Sequence, residues 1–229
     1  MPPRPKKAWG AGQGVIVAGF GIKSVALVLG SVGLMALAAA EASRAQTPAA
    51  ASPAYTTDGK LEFPKDYRTW IYLSSGMDMS YVEGGPPGMS MFDNVFVNPE
   101  AWASFQKTGT WPDKTVMVLE VRAGQQNGSI NKRGRFQTQR LGAEIHVKDA
   151  ARFKGGWAFF GFDGEGPGQL LPASAPCYAC HQQHAAVDTT FVQFYPTLLP
   201  LARQHGTLSA NYLADEAAAK AAPAGPAHP

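Results

Sequence analysis

The chain has 229 residues, 45% of them hydrophobic and 16% charged, with only two cysteines. Its formal net charge is +3, but five of the 20 basic side chains and one of the 17 acidic ones lie in residues 1–45, which leaves 15 against 16 in the remainder. A near-neutral body excludes an electrostatic case for nucleic acid, and no internal repeat is present.

Arg4, Lys6, Lys7 and Lys23 precede an apolar run from Val25 to Ala40, followed by Ser43 and Ala45 as small residues at the −3 and −1 positions of a cleavage site. This predicts a secretory signal peptide over 1–45 with a long basic n-region. A retained membrane anchor is the alternative. The run is shorter than the roughly 20 residues a spanning helix takes, so no stable membrane span is expected after cleavage. Residues 46–57 are rich in Ala, Pro, Ser and Thr and read as a flexible linker. Residues 58–213 are enough for one domain with its own core, and 214–229 read as a disordered Ala/Pro-rich tail.

Within the domain, Asp66 can cap a short helical turn, and Trp70 to Leu73 suits the start of a strand. Ser74 to Met91 reads as a loop carrying Met77, Met79, Met89 and Met91, which are more in keeping with adaptable packing than with haem ligation. Phe92 to Val97 alternates as a strand, with Phe92, Asn94 and Phe96 on one face. Asn98-Pro99-Glu100 opens a helix, Trp102 and Phe105 dock it, and Gly109 stops it.

Val116 to Arg122 is the next strand, and its wholly apolar set Met117, Leu119 and Val121 is expected to face the interior. Phe136 to Lys148 is a further strand region, with Glu144, His146 and Lys148 sharing one face. Trp157 to Phe162 is apolar on both faces and is expected at the centre of the sheet. Later, Asp188 can cap a helix carrying Phe191, Phe194 and Tyr195, which can wall a cofactor or fill an ordinary core. The expected class is α+β, mainly antiparallel β with a few short helices.

Both cysteines fall in Cys177-Tyr178-Ala179-Cys180-His181. CxxCH is the attachment signature of a c-type haem. Two thiols one short turn apart can add to the two vinyl groups on one porphyrin edge, and the following histidine can ligate the iron. A redox CxxC pair would be expected near a βαβ pattern, and none precedes this one. A zinc site needs about four ligands, and the nearest spare histidine is His184. One covalent haem c per chain is therefore expected, held by Cys177 and Cys180, with His181 as the axial ligand. Export fits this chemistry, because c-type haem is attached on the far side of the bacterial inner membrane, and the expected location is the periplasm.

With these residues in hand, the chain resembles the cytochrome P-460 family, which includes the cytochromes c-prime beta. The resemblance runs from about Leu61 to Arg203. It is carried by Lys65 to Trp70, Val95 to Glu100, Lys107-Thr108-Gly109, Thr115 to Glu120, Val147-Lys148-Asp149, Trp157-Ala158-Phe159 and Phe191 to Pro196, together with the haem motif. It implies a β-rich homodimer with His181 proximal and the opposite iron face open to small molecules such as nitric oxide.

The P-460 enzymes oxidise hydroxylamine and depend on a lysine cross-linked to the porphyrin and on a distal carboxylate. The position matching that lysine is Leu119, which has no nucleophilic nitrogen, and Lys114 is a poor substitute. Asp93 stands where the enzymes have a distal arginine, while the carboxylate persists as Glu144. The resemblance gives Glu144 a role as distal acid/base; alternation alone favours an exposed strand carboxylate. Leu119 and Met117 are the expected distal-pocket residues; His146, expected on a solvated face, and His205, expected in the last turn of a helix before Gly206, are weak rivals for the sixth iron position. Three functions follow: a cytochrome binding a small gaseous or nitrogen-oxide ligand, an enzyme oxidising hydroxylamine or nitric oxide, and a simple carrier serving a periplasmic electron-transfer partner.

Overall fold

Six strands form one antiparallel sheet in the order of the sequence, so every connection joins neighbours. The computed structural model describes residues 52–80 and 89–221. The expected signal peptide, the first half of the linker, residues 81–88 and the last residues of the tail lie outside the described residues. Among the described residues no helix is long and apolar enough to cross a membrane.

The strands are β1 (Ile71–Met77), β2 (Met91–Val97), β3 (Val116–Gln125), β4 (Phe136–Lys148), β5 (Trp157–Phe162) and the two-residue β6 (Gln169–Leu170). The helices are α1 (Pro99–Thr108), α2 (Pro176–His184), α3 (Leu199–His205) and α4 (Ala210–Ala221), with 3-10 turns at Tyr67–Thr69 and Val192–Phe194. The α+β, mainly antiparallel reading holds.

The sheet is covered on both faces, and alternation sorts each strand between two cores. On one face Val116 and Val118 of β3, Ile145 and Val147 of β4, and Ala158, Phe160 and Phe162 of β5 pack under Leu61, Phe63, Tyr67 and Trp70. On the other, Met117 and Trp157 pack with Phe105 and Trp111 and with Val187, Val192, Tyr195 and Leu198 from the region after α2. Strand β5 is thus buried on both faces although it is fifth of six, because the connections cover it rather than because it is central.

Several local expectations change. The strand begun at Ile71 continues to Met77, so the loop starts later than Ser74. Asp66 makes no capping bond; its carboxylate accepts from Trp70 Nε1 at 3.2 Å. Asp188 starts no helix, because its φ of 52° sets a left-handed turn, and its carboxylate lies 3.1 Å from Lys148 Nζ. The start of the expected loose tail is helical through Ala221, anchored by buried Tyr212 and by Glu216 on Arg203 at 2.8 Å. Helix α1 matches its sequence signals, ending at Gly109 with φ 70°, though the Asn98 side chain accepts from Val116 N–H at 2.8 Å, tying the helix start to β3.

Candidate functional site

The cavity-side face of the sheet is set by register. Val95 pairs with Leu119, Leu119 with Glu144, and Glu144 with Gly161 across β2, β3, β4 and β5. One step along, Met117 pairs with His146 and His146 with Phe159. All of these but Gly161 floor a cavity of about 460 Å³ whose far wall is α2 and the turn that follows it. That volume lies within the roughly 300–1,000 Å³ of ordinary cofactor and ligand pockets.

Helix α2 explains the motif spacing. Cys177, Cys180 and His181 stand at i, i+3 and i+4, which puts all three on one helical face, and all three line the cavity. Pro176 at the helix start fixes the entry, and the Tyr178 hydroxyl accepts from Phe159 N–H at 3.2 Å and donates to Leu171 O at 3.3 Å. The motif is thereby fastened to β5.

His181 is oriented by the chain beyond the helix. Its Nδ1 lies 2.7 Å from the Thr189 carbonyl oxygen, which can only accept, so Nδ1 carries the proton and Nε2 keeps its lone pair. That is the arrangement of a metal-ligating histidine, whose second nitrogen is commonly held by a carbonyl or carboxylate. Burial pushes its pKa down, which keeps the ring neutral, although the Thr189 bond works against that. The Phe191 ring lies 4.1 Å from the His181 ring, centroid to centroid, and Phe159 lies 4.7 Å away.

His146 corrects the sequence expectation. Instead of a solvated face it occupies a buried one, stacked on Phe159 at 4.0 Å and 4.3 Å from Trp157. Its Nε2 lies 3.3 Å from Thr189 Oγ1. Burial, and then His181, hold its pKa well below the ordinary range, so it supports the His181 wall as a neutral ring. The solvated reading failed because the cavity side of β4 is covered too.

Leu119, Met117, Glu144 and Asp93 all line the same cavity as the motif. Glu144 is exposed to the cavity rather than packed against protein. Loss of surrounding water raises its pKa, and the Asp93 carboxylate raises it further. Asp93 is itself raised by burial and then by Asp78. Phe191, Phe194 and Tyr195 supply the apolar far wall.

Other candidates are elsewhere. Lys114 is turned away, 2.5 Å from Asp149 and 3.8 Å from Asp113, and does not line the cavity. His205 packs against Gly109 at the end of α1, and His184 faces Asp215 at 2.9 Å. Among the described residues no group of three or more His, Cys, Asp and Glu side chains is placed to hold a metal ion.

Two features had no sequence signal. The Thr189 carbonyl is a backbone group that any residue would carry. Glu120, expected on the less covered face of β3, is fully buried: Tyr67 Oη donates to it at 2.7 Å, Arg68 at 2.8 Å and Asn94 Nδ2 at 3.2 Å, and Arg122 Nε lies 3.0 Å away as an ion pair outside hydrogen-bond geometry. Burial alone would raise its pKa, but the Tyr67 hydroxyl and the two guanidinium groups outweigh it and hold the carboxyl below its ordinary range.

The residues present suit a covalently held haem: a largely apolar cavity, two thiols on one helical face, and a half-buried neutral histidine with its Nε2 lone pair retained. A family model described as Cytochrome P460 matches residues 64–192. No curated protein matches the chain.

Proposed function

The chain belongs to the cytochrome P460 family, a family of haem cytochromes, and from that premise we propose that it is an exported mono-haem c-type cytochrome that binds a small ligand such as nitric oxide. Cys177 and Cys180 would carry the thioether bonds, and His181 Nε2 would ligate the iron. A haem so bound supplies one-electron chemistry and an iron face for a diatomic ligand.

The observation that carries this reading is the register pair Leu119–Glu144 on the cavity floor. Leu119 stands at the position where the hydroxylamine-oxidising enzymes have a cross-linking lysine, and it presents only methyl groups to the cavity. An apolar wall favours a small uncharged ligand, which enters without leaving a polar partner unpaired. Glu144, with its raised pKa, is suited to hold a proton beside such a ligand.

That same carboxyl, with Asp93 beside it, favours a second reading in which the site oxidises hydroxylamine or nitric oxide. Glu144 would then take a substrate proton as electrons leave, and a periplasmic carrier would receive them. A homodimer accompanies both readings through the family. The separating experiment is optical spectroscopy of oxidised, reduced and nitric oxide-treated protein, with an intact mass on the same sample. High-spin five-coordinate spectra, a shift on adding nitric oxide, and the mass of one haem with no further cross-link are expected. A low-spin six-coordinate spectrum in both oxidation states would sink the first reading, and turnover of hydroxylamine with an electron acceptor would establish the second.

A further inference from the structure

Five of the seven methionines follow residue 45, and four of those five form two triplets of one pattern, Met77-Asp78-Met79 and Met89-Ser90-Met91. The fifth, Met117, is core on the cavity floor. The other four are between 37% and 57% exposed, so they contribute little as packing. Their sulfurs remain unexplained by the haem site.

The fold joins the triplets through their middle residues. Ser90 Oγ donates to both Asp78 carboxylate oxygens, at 2.8 and 2.9 Å, and Asp78 Oδ1 also accepts from Met91 N–H at 2.8 Å. Asp78 N–H donates to Met91 O at 3.0 Å, and Gly124 N–H donates to Ser90 O at 2.6 Å. Asp78, at φ 54°, reverses the chain so that Met79 folds back on Gly76, its sulfur lying in the space a β-carbon there would need. Met79 also lines the haem cavity. Met91 shares the face of Asp93 and Val95, which line that cavity, by strand alternation, and Met89 precedes it by two. Met77 pairs with Phe92 and falls on the opposite face.

We infer that Met79, Met89 and Met91 form a binding site for one copper(I) ion at the edge of the haem cavity. Thioether sulfur is neutral and soft. It suits Cu(I), whereas Mg(II) and Ca(II) take oxygen donors and Zn(II) takes thiolate, imidazole or carboxylate rather than a set of neutral thioethers. Asp78 is committed to holding the two triplets together, so it shapes the site and adds a negative charge without being a ligand. Binding is a simple association with no electron transferred, and it stands apart from the identity of the haem ligand.

The test titrates the haem-loaded protein, reduced and free of oxygen, with Cu(I) buffered by a coloured bis-chelator, and counts bound copper by native mass spectrometry. One Cu(I) per chain is expected, with Zn(II) failing to compete. Met79→Leu, Met89→Leu and Met91→Leu, each nearly conserving volume, should weaken binding by at least the roughly tenfold that loss of even an outer-sphere partner costs. Met77→Leu should change it little. The haem spectrum serves as the check that each variant keeps its fold. No uptake by the parent protein, full uptake by the triple leucine variant, equal binding of Zn(II), or an equal loss in Met77→Leu would each overturn the assignment. A surface that serves only to dock another protein gives the first of these results.

Discussion

Two glutamates on facing strands show how strongly the covered side of a sheet decides chemistry. Glu120 lies on the fully packed face among Tyr67, Arg68, Asn94 and Arg122, and Glu144 lies on the cavity face with Asp93 as its charged neighbour. Their pKa values move in opposite directions, and so must their contributions to stability. Glu120, lowered on folding, stabilises the protein above the ordinary glutamate value of about 4.3, and that contribution is lost as pH falls through its folded value. Glu144, raised on folding, disfavours the folded state as pH rises from that same value through its folded one. At pH 7, Glu120→Gln should therefore cost about 2 kcal/mol, the worth of hydrogen bonds to a charged group. Glu144→Gln should raise the melting temperature, and both differences should shrink in acid. Thermal unfolding between pH 3 and 8 checks this, and parallel pH profiles for the two variants would contradict it. Strand alternation sorts the residues within each strand, but only the register, in which Glu120 pairs with Ala143 and Leu119 with Glu144, puts the two carboxylates on separate faces.

At the scale of elements, boundaries came from local chemistry and were well marked where a terminator was strong. Helix α1 begins at Pro99 and ends before Gly109 as its residues indicate. Glycine is required at two helix ends for different reasons. Gly206, at φ 68°, has open space where a β-carbon would go, whereas at Gly109, φ 70°, a β-carbon would meet His205 Cβ and Thr207 Oγ1 at 2.7 and 2.9 Å. Gly206→Ala should cost about 1–2 kcal/mol, the left-handed penalty alone, and Gly109→Ala should cost more because the α1 end must also part from the α3 end. Urea unfolding of the two variants measures the difference, and equal midpoints would rule out the contact. Less legible were the elements held by distant partners. The Ala-rich stretch from Ala210 follows a capping serine, Ser209, whose Oγ accepts from Tyr212 N–H at 3.1 Å, and the helix is held in place by buried Tyr212 and by Glu216 on Arg203 of α3. Asp188 looked like a cap, and the turn at that point instead presents the Thr189 carbonyl to His181.

For the whole molecule, the two cores differ in what they need. The face packed by Leu61, Phe63, Tyr67 and Phe160 is complete from protein alone, while the other is built around a cavity that α2 and the residues after it enclose. A ligand that binds only the folded state stabilises it, so haem should act chiefly on the cavity side. In a Cys177→Ala/Cys180→Ala protein that cannot retain haem covalently, the melting temperature should fall. Amide exchange should speed up over 176–195 and stay slow in β3 and β4, whose strands remain packed on the complete face. Uniform acceleration across the sheet would show instead that the two cores unfold as one.

Whatever rests on local chemistry is legible in the amino-acid sequence. The CxxCH spacing brings two thiols and an imidazole to one side of a single helical turn, and period-two alternation puts Met117, Leu119 and Val121 on one face of β3 and Glu144 and His146 on one face of β4. What covers those faces is set by the folded chain. It buried His146 against Phe159, sealed Glu120 beneath Tyr67, left Glu144 facing the cavity and fixed the His181 tautomer through a backbone carbonyl eight residues away. The physical reason is that a side chain's direction is set by its own backbone, whereas its solvation and charge depend on residues from elsewhere in the chain.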